Sequence, residues 1–262
     1  MSGDQVIRCL ELLCAWSLLL QTLEYWRIGD STDPTGVWSW PVQRADIPAS
    51  PAWVLPCLDW LYQPAPYRAL LWLRGLAALS LALVGANLGN ALVLFVIQLL
   101  ILVRWRGAFN GGSDFMTLVA LTGILLAQVL MRFVDPSMAW GAGLGYIGIH
   151  TLSSYFVSGW VKLMRPEWRS GRALTVFLDH GVYGPLPENS IYRWPRLAML
   201  CSWCFTLWEG LFPLALLDVR LAAMFCATAS VFHFLVFWFF GLNRFFWAWL
   251  STFPAILYCA SV

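Results

Sequence analysis

The chain has 262 residues, of which 60% are hydrophobic and only 11% are charged, with a net charge of +2. A soluble domain averages about 45–50% apolar and about 25% charged residues, so this chain lacks the polar side chains to cover a water-exposed surface. The same figures exclude a disordered chain, a coiled coil and a disulfide-linked secreted scaffold. We therefore expect an integral membrane protein whose environment is the lipid bilayer, with no nucleic acid partner.

Eight mostly apolar runs are each close to the length of about 20 residues that spans a bilayer as a helix. The first run has no basic stretch ahead of Arg8 and no small-residue cleavage site after Leu20, so we interpret it as a membrane helix. Together the runs predict an all-α polytopic bundle of about eight transmembrane helices in a single domain, residues 1–262. The runs are Ile7–Trp26, Tyr67–Ala86, Gly89–Trp105, Phe115–Phe133, Gly143–Met164, Arg196–Leu217, Leu221–Phe240 and Phe245–Ala260.

Two long connections, residues 28–66 and 165–195, separate these runs. The first is rich in Pro, Trp and Asp, and we expect it to lie along the membrane interface as short helices and turns. The second is polar, and connections of this length are usually functional or disordered. Eight spans place both on one side of the membrane, together with most of the arginines. The arginine distribution alone favours the cytoplasm for that side.

Several runs contain a charged side chain that lipid cannot accommodate. A charge near the centre of a membrane helix costs at least about 2.5 kcal/mol when it faces lipid. We therefore expect these side chains, and the histidine of the fifth run, to face the protein interior. They are Glu11, Glu24, Arg74, Glu209 and His150.

The fifth run carries polar residues at every fourth position: Tyr146, His150, Ser154, Ser158 and Lys162. This spacing predicts a polar stripe along one helix face, which we expect to point into the bundle. For the serines, close helix packing is the preferred explanation. Lys162 is the only lysine among sixteen basic residues, and lysine, unlike arginine, can lose its proton. It is a candidate general base, although a lysine that reaches the interface from a helix end is the common alternative.

Three further features are candidate sites. His233 lies among aromatic residues in the seventh run, and a histidine inside a membrane indicates either function or a hydrogen bond to a neighbouring helix. Cys201 and Cys204 form a CxxC pair that could exchange electrons with a quinone or could be buried structural thiols. Asn110 precedes paired glycines, a pattern that an ordinary turn also explains. The histidines are too scattered to suggest a metal site, so we expect no metal.

Three segments, taken together, carry a family resemblance. They are the turn that holds Asn110, the stretch Tyr155–Leu163 with Trp168 and Gly171 after it, and the Phe232-His233 pair in an aromatic helix. In this order they resemble the HTTM family, the membrane domain shared with vitamin K-dependent gamma-carboxylase and the bacterial sporulation-delaying protein B group. The resemblance extends from about Trp105 to Phe246.

The resemblance implies a chemistry and a set of roles. The carboxylases oxygenate reduced vitamin K to its epoxide, and the strong base formed removes a glutamate γ-proton before CO₂ adds. Lys162 then corresponds to the residue that deprotonates the hydroquinone, Asn110 to an orienting group and His233 to a hydrogen-bonding or relay group. The resemblance also implies an active face on the periplasmic side of a bacterial inner membrane, against the arginine distribution.

This chain departs from the carboxylases at some positions. They have two adjacent lysines where this chain has Val161-Lys162, and a further histidine where Met131–Trp140 contains none. They also carry a large non-membrane domain, so we expect a protein partner to supply a soluble domain or a peptide substrate.

The leading hypothesis is a quinone-linked membrane enzyme, carboxylase-like or epoxidase-like, or the membrane subunit of one. It would use a reduced vitamin K-like quinone and modify a peptide or lipid-like substrate. Its site would comprise Lys162, His233, Asn110 and His150, with Lys162 at the mouth of an interior cavity, near His233 or Asn110 and unpaired with any carboxylate. A non-catalytic membrane scaffold or assembly subunit is the main alternative, and a thiol–quinone redox protein is a third.

Overall fold

A computed structural model describes residues 2–45, 47, 53–105 and 111–262 of the chain. All regular elements within those residues are helical and none is a β-strand, which confirms the all-α prediction. The α-helices follow in this order: α1 Gly3–Arg27, α2 Trp40–Arg44, α3 Val54–Leu61, α4 Pro64–Val84, α5 Leu88–Trp105, α6 Gly111–Leu130, α7 Pro136–Leu163, α8 Pro166–Arg169, α9 Arg172–Asp179, α10 Pro195–Gly210, α11 Val219–Phe240, α12 Asn243–Leu250 and α13 Phe253–Cys259.

Within the described part of the chain, five helices are long and apolar enough to cross a membrane: α1, α4, α5, α6 and α11. The fifth predicted run lies within α7, except that Met164 lies one residue beyond the helix end. The sixth and eighth runs do not form continuous helices. In the sixth, α10 ends at Gly210 and a 3₁₀ segment, Phe212–Leu217, follows; the eighth is divided into α12 and α13. Pro213 and Pro254 stand just after these breaks, where a residue without a backbone N–H cannot extend the preceding helix.

Helices α6 and α7 touch backbone to backbone. A Cβ added to Gly123 would lie 2.7 Å from the carbonyl oxygen of Gly143, and one added to Gly143 would lie 2.5 Å from that of Gly123. Glycine at both positions therefore permits the close approach that is typical of packed membrane helices. The contact fixes α7 against the centre of the bundle, beside the buried side chains of Leu144 and Ile147.

A fully buried guanidinium links α4 to α1 and α5. The side chain of Arg74 donates hydrogen bonds to the carbonyl oxygen of Leu18 (3.0 Å), Thr22 Oγ1 (2.7 Å), Gln21 Oε1 (2.7 Å) and Gln98 Oε1 (2.9 Å). Its charge is thus surrounded by four polar oxygens instead of lipid. This arrangement explains how an arginine is tolerated inside an apolar run.

A second group of buried charges connects α12 to α1 and α6. Arg244 donates to Asp114 Oδ1 at 2.5 Å and to the hydroxyl of Tyr25, which itself donates to Asp114 Oδ1 at 3.2 Å. Glu24 lies 3.5 Å from Arg244 Nε and accepts a hydrogen bond from Asn243 Nδ2 at 3.0 Å. The short helix α12 is therefore held in the bundle by ionic contacts at its first turn.

The expectation that charged residues face the interior is confirmed for three of them and wrong for His150. Glu11, Arg74 and Glu209 are buried, and Glu24 is partly buried in the contacts just described. His150 is exposed, with its ring against Tyr146. The buried residues of α7 include Thr151, which follows His150 directly, and most of them are small or aliphatic. They are Ala139, Trp140, Gly143, Leu144, Ile147, Gly148, Thr151, Leu152, Tyr155 and Gly159.

The long connections contain short helices, as predicted for residues 28–66. There Asp59 of α3 accepts hydrogen bonds from Arg44 Nε (2.7 Å) and Trp40 Nε1 (2.8 Å) of α2. These hydrogen bonds, first that of Arg44, hold the pKa of the Asp59 carboxyl below its usual value. In the second connection, Arg193 pairs with Asp179 at 2.7 Å and fixes the end of α9.

Candidate functional site at the junction of α7, α10 and α11

The site is built around a close crossing of α7 and α10. A Cβ added to Gly159 would lie 2.3 Å from the backbone nitrogen of Gly210, so the two helices are in backbone contact. Side chains on both sides of this crossing are therefore forced together. They are Lys162 with Glu209 on one side and Tyr155 with Trp208 on the other.

Lys162, Glu209 and Ser158 form a closed hydrogen-bonded cluster. Lys162 Nζ donates to Ser158 Oγ at 2.6 Å and to Glu209 Oε2, and Ser158 Oγ lies 3.3 Å from Glu209 Oε1. The side chains of Lys162 and Glu209 are only 16% and 5% exposed. The protein thus holds an ammonium and a carboxylate in contact, largely away from water.

Aromatic rings enclose the ammonium group. Lys162 Nζ lies 4.6 Å from the ring centroid of Phe205 and 5.3 Å from that of Trp168, distances at which a cation is attracted to a ring face. Trp168 is fixed in place because its carbonyl oxygen accepts a hydrogen bond from Ser202 Oγ of α10 at 2.5 Å. The polar end of Lys162 is therefore bounded by rings as well as by its carboxylate.

His233 lies buried in an aromatic environment with one polar partner. Its Nε2 is 2.5 Å from the hydroxyl of Tyr155, and its ring stacks on Trp249 at 4.9 Å and meets Phe245 at 5.1 Å. Tyr155 in turn stacks on Phe212 at 4.0 Å. Tyrosine and histidine can pass a proton between them along such a hydrogen bond.

An aromatic bridge joins the two polar groups. Phe205, which faces the Lys162 ammonium, lies 4.6 Å from Phe232, and Phe232 lies 5.0 Å from the ring of His233. Lys162 and His233 therefore belong to one cluster, although each has its own polar partner. This juxtaposition links residues that are far apart in the chain.

The prediction that no carboxylate pairs with Lys162 is wrong, because Glu209 does so. The structure brings Lys162 and His233 into one cluster but does not bring His150 to it. The His150 side chain is exposed on α7, and the His150 carbonyl oxygen accepts a hydrogen bond from Ser154 Oγ. Asn110 lies outside the described residues.

Sequence reasoning did not identify Glu209 as the partner of Lys162 or Tyr155 as the partner of His233. A signal for the first existed, because an acidic residue in an apolar run requires a cationic or hydrogen-bonding partner nearby. The signal for the Tyr155–His233 pairing was weaker. Tyr155 precedes Lys162 by seven residues, close to two helical turns, so both side chains lie on similar faces of α7.

Three buried polar atoms, on His233 and on rings that contact the Tyr155–His233 pair, have no hydrogen-bond partner within the described residues. They are Trp208 Nε1, His233 Nδ1 and Trp249 Nε1. An unpaired buried donor costs about 1–3 kcal/mol, so a cluster of them favours a polar ligand atom or water as partner.

Cavities elsewhere in the bundle do not include these residues. A cavity of about 200 Å³ is lined by Glu24, Arg27 and Arg244 among others, and one of about 580 Å³ lies between the starts of α1 and α7. Cys201 is partly buried and Cys204 is exposed, both as free thiols. Within the described residues, no group of three or more His, Cys, Asp and Glu side chains is arranged to hold a metal ion.

No protein-family model, no curated protein and no solved structure matches the chain. A functional assignment therefore depends on the geometry of the site and on the sequence resemblance alone.

Proposed function

We propose that the chain is an integral membrane enzyme, or the membrane subunit of one, whose Lys162–Glu209 pair transfers a proton from a reduced quinone. The observation that carries the proposal is the contact between this ammonium and this carboxylate, largely away from water and bounded by aromatic rings. The resemblance to gamma-carboxylases supplies the substrate class. The unpaired donors near His233 suit a quinone oxygen.

The pairing changes the role of Lys162. An ammonium that is hydrogen-bonded to a carboxylate has no lone pair, so in this arrangement Glu209 is the base. A quinone in its reduced form supplies an acidic hydroxyl and two electrons. Glu209 accepts the proton of that hydroxyl: the substrate O–H bond breaks and an O–H bond forms on the carboxyl group. Lys162 remains a cation and stabilises the negative oxygen left behind.

Ser158 and the Tyr155–His233 pair have supporting roles. Ser158 contacts both members of the ion pair and holds their relative orientation. The hydrogen bond between Tyr155 and His233 provides a second group that can donate or accept a proton, separated from Glu209 by the aromatic layer. In this proposal His233 keeps its relay role, while Lys162 becomes an electrostatic partner.

The proposal includes a membrane arrangement. The chain crosses a bacterial inner membrane about eight times, with α7, α10 plus Phe212–Leu217, and α12 plus α13 as the crossings beyond the five apolar helices. Helix α7 has 28 residues, about 42 Å at 1.5 Å per residue, which exceeds a hydrocarbon core of about 30 Å. The Lys162 end faces the periplasm, and a protein partner supplies the peptide substrate or a soluble domain.

One observation favours a non-catalytic scaffold instead. A structural cation inside a membrane protein is stabilised by a carboxylate and by aromatic rings, and Lys162 has both. A scaffold with this pair would show no quinone turnover in any variant.

The test uses the purified full chain in phospholipid vesicles with a reduced naphthoquinone and oxygen, and it measures epoxide and quinone products. We expect the turnover of Glu209→Gln to fall at least about 100-fold, which is the lower end of the rate loss expected when a general base is removed. Lys162→Arg, which keeps the charge, retains part of the turnover, and exposed Ser154→Ala serves as the matched control on α7. An inactive Lys162→Arg beside an active Glu209→Gln would restore Lys162 as the base. No turnover in the wild type would favour the scaffold.

A further inference from the structure

A cleft with no part in the proposed chemistry lies at the opposite end of α7 from Lys162. Its volume is about 580 Å³, within the range of about 300–1,000 Å³ found for ligand sites. The start of α1, the turn between α4 and α5, the end of α6 and the start of α7 form its walls. Its polar lining is Asp4, Arg8, Glu11 and Gln128.

Gln128 borders this cleft and carries an unused hydrogen-bond donor. The residue is 4% exposed, and its amide Nε2 is buried without a partner within the described residues. A donor in that state costs free energy unless a ligand or water supplies an acceptor oxygen. The residue therefore marks a point where the cleft accepts a polar group.

The cleft contains side chains of both charge signs, and hydrogen bonds hold Arg8 and Glu11 in position. Arg8 lies 3.1 Å from Glu11 and also donates to the carbonyl oxygens of Leu81 and Ala82, and the Arg8 side chain as a whole is 41% exposed. Glu11 accepts a hydrogen bond from the backbone nitrogen of Ala86 at 2.7 Å, so its position is set by the turn between α4 and α5.

That turn approaches Glu11 closely. Gly85 has φ +86°, and a Cβ there would lie 3.2 Å from a carboxylate oxygen of Glu11. Glycine is required both by the left-handed backbone and by the narrow space. Asp4 adds an exposed carboxylate about two turns before Glu11 on α1.

The lining therefore complements a ligand that carries one negative and one positive group. Arg8 and Gln128 offer donors to an anion, and the first turn of α7 adds the partial positive charge of a helix N-terminus. Asp4 and Glu11 offer acceptors to an ammonium. The remaining walls are apolar and include Leu83 and Val84, which are 73% and 78% exposed.

We propose that this cleft binds a phospholipid with a primary-amine headgroup, with its phosphate near Arg8 and Gln128 and its ammonium near Asp4 and Glu11. The location agrees with this occupant, because the cleft lies at one end of α1, α4 and α6, which are long and apolar enough to cross a membrane, and the ends of such helices meet lipid headgroups. The acyl chains follow the exposed side chains of Leu83 and Val84. A primary ammonium has three N–H donors, whereas a quaternary choline has none.

Native mass spectrometry of the full chain, released from vesicles of defined composition, tests the proposal. Phosphatidylethanolamine, phosphatidylglycerol and phosphatidylcholine with identical acyl chains are compared at equal mole fraction. We expect phosphatidylethanolamine to be retained preferentially and Gln128→Leu to weaken its binding by about three- to tenfold, the range of one hydrogen bond. Gln63→Leu, an exposed glutamine at the other end of the bundle, is the matched control and leaves binding unchanged.

Asp4→Asn provides a second variant that does not disturb a buried side chain. It reduces the preference for phosphatidylethanolamine over phosphatidylcholine, because the ammonium loses one acceptor charge. Equal retention of the three lipids, an unchanged affinity in both variants, or equal binding of soluble phosphoethanolamine without acyl chains would overturn the proposal.

Discussion

Gly159 and Gly210 bring α7 and α10 so close that a single methyl group at Gly159 would lie 2.3 Å from the Gly210 nitrogen. The contact lies three residues from Lys162 and next to Glu209 along the chain. The distance between those two charges therefore depends on the absence of a side chain at Gly159, whereas a Cβ at Gly210 would meet only the Trp160 ring at 3.9 Å. Gly159, which carries no chemistry itself, sets the geometry of the candidate site.

Gly159→Ala should separate α7 from α10 and loosen the Lys162–Glu209 contact. Overpacking of this kind typically costs about 1–3 kcal/mol. Differential scanning fluorimetry in detergent should show a lower Tm. Gly145→Ala is the matched control on the same helix, because nothing lies within 4 Å of a Cβ there. Alanine has the higher helix propensity, so this control should keep or raise the Tm. An unchanged Tm in Gly159→Ala would contradict the backbone contact.

Arg74→Ala should destabilise the bundle strongly. The substitution leaves the oxygens of Gln21 and Gln98 without the donor that satisfies them and opens a cavity, which together cost about 3–5 kcal/mol. Chemical denaturation in detergent micelles should show the loss. Arg68→Ala, an exposed arginine on the same helix, should change the free energy of unfolding by less than about 0.5 kcal/mol. Similar behaviour of the two variants would show that Arg74 is not the buried centre of a network.

The contact between α2 and α3 should weaken in acid. Because its pKa is lowered in the folded protein, Asp59 stabilises the contact above the unfolded pKa of about 3.9, and this contribution disappears as the pH falls through the lower folded value. The indole N–H resonance of Trp40, which donates to Asp59, should shift below that pH. Asp59→Asn should remove the pH dependence, and an identical titration in that variant would assign the shift to another group.

Run length predicted the positions of the five helices that are long and apolar enough to cross a membrane, because a lipid environment requires continuous helical backbone. Run length did not predict the helix breaks at Gly210 and Ser251, although a proline lies near each of them. Their exact place depends on how the chain packs against α7 and α11, which local sequence does not encode.

Residue spacing also did not predict which side chains of α7 face the neighbouring helices. A repeat of four residues advances about 400° per step, so five such positions drift by about 160° around the helix. One helix face therefore cannot hold Tyr146, His150 and Lys162 together. Gly143 contacts α6 and Gly159 contacts α10, so the two glycines mark different faces of α7. The partner of Lys162 lies 47 positions away in Glu209. Pairings across that separation depend on tertiary packing, which no spacing rule contains.

The most direct test of the catalytic assignment replaces both charges at once, as Lys162→Met with Glu209→Met. Removing both partners of a buried ion pair is often neutral for stability, so we expect the double variant to keep the wild-type Tm within a few degrees. Quinone turnover in vesicles should fall at least as far as in Glu209→Gln alone. A folded double variant with wild-type turnover would contradict a catalytic role for the pair.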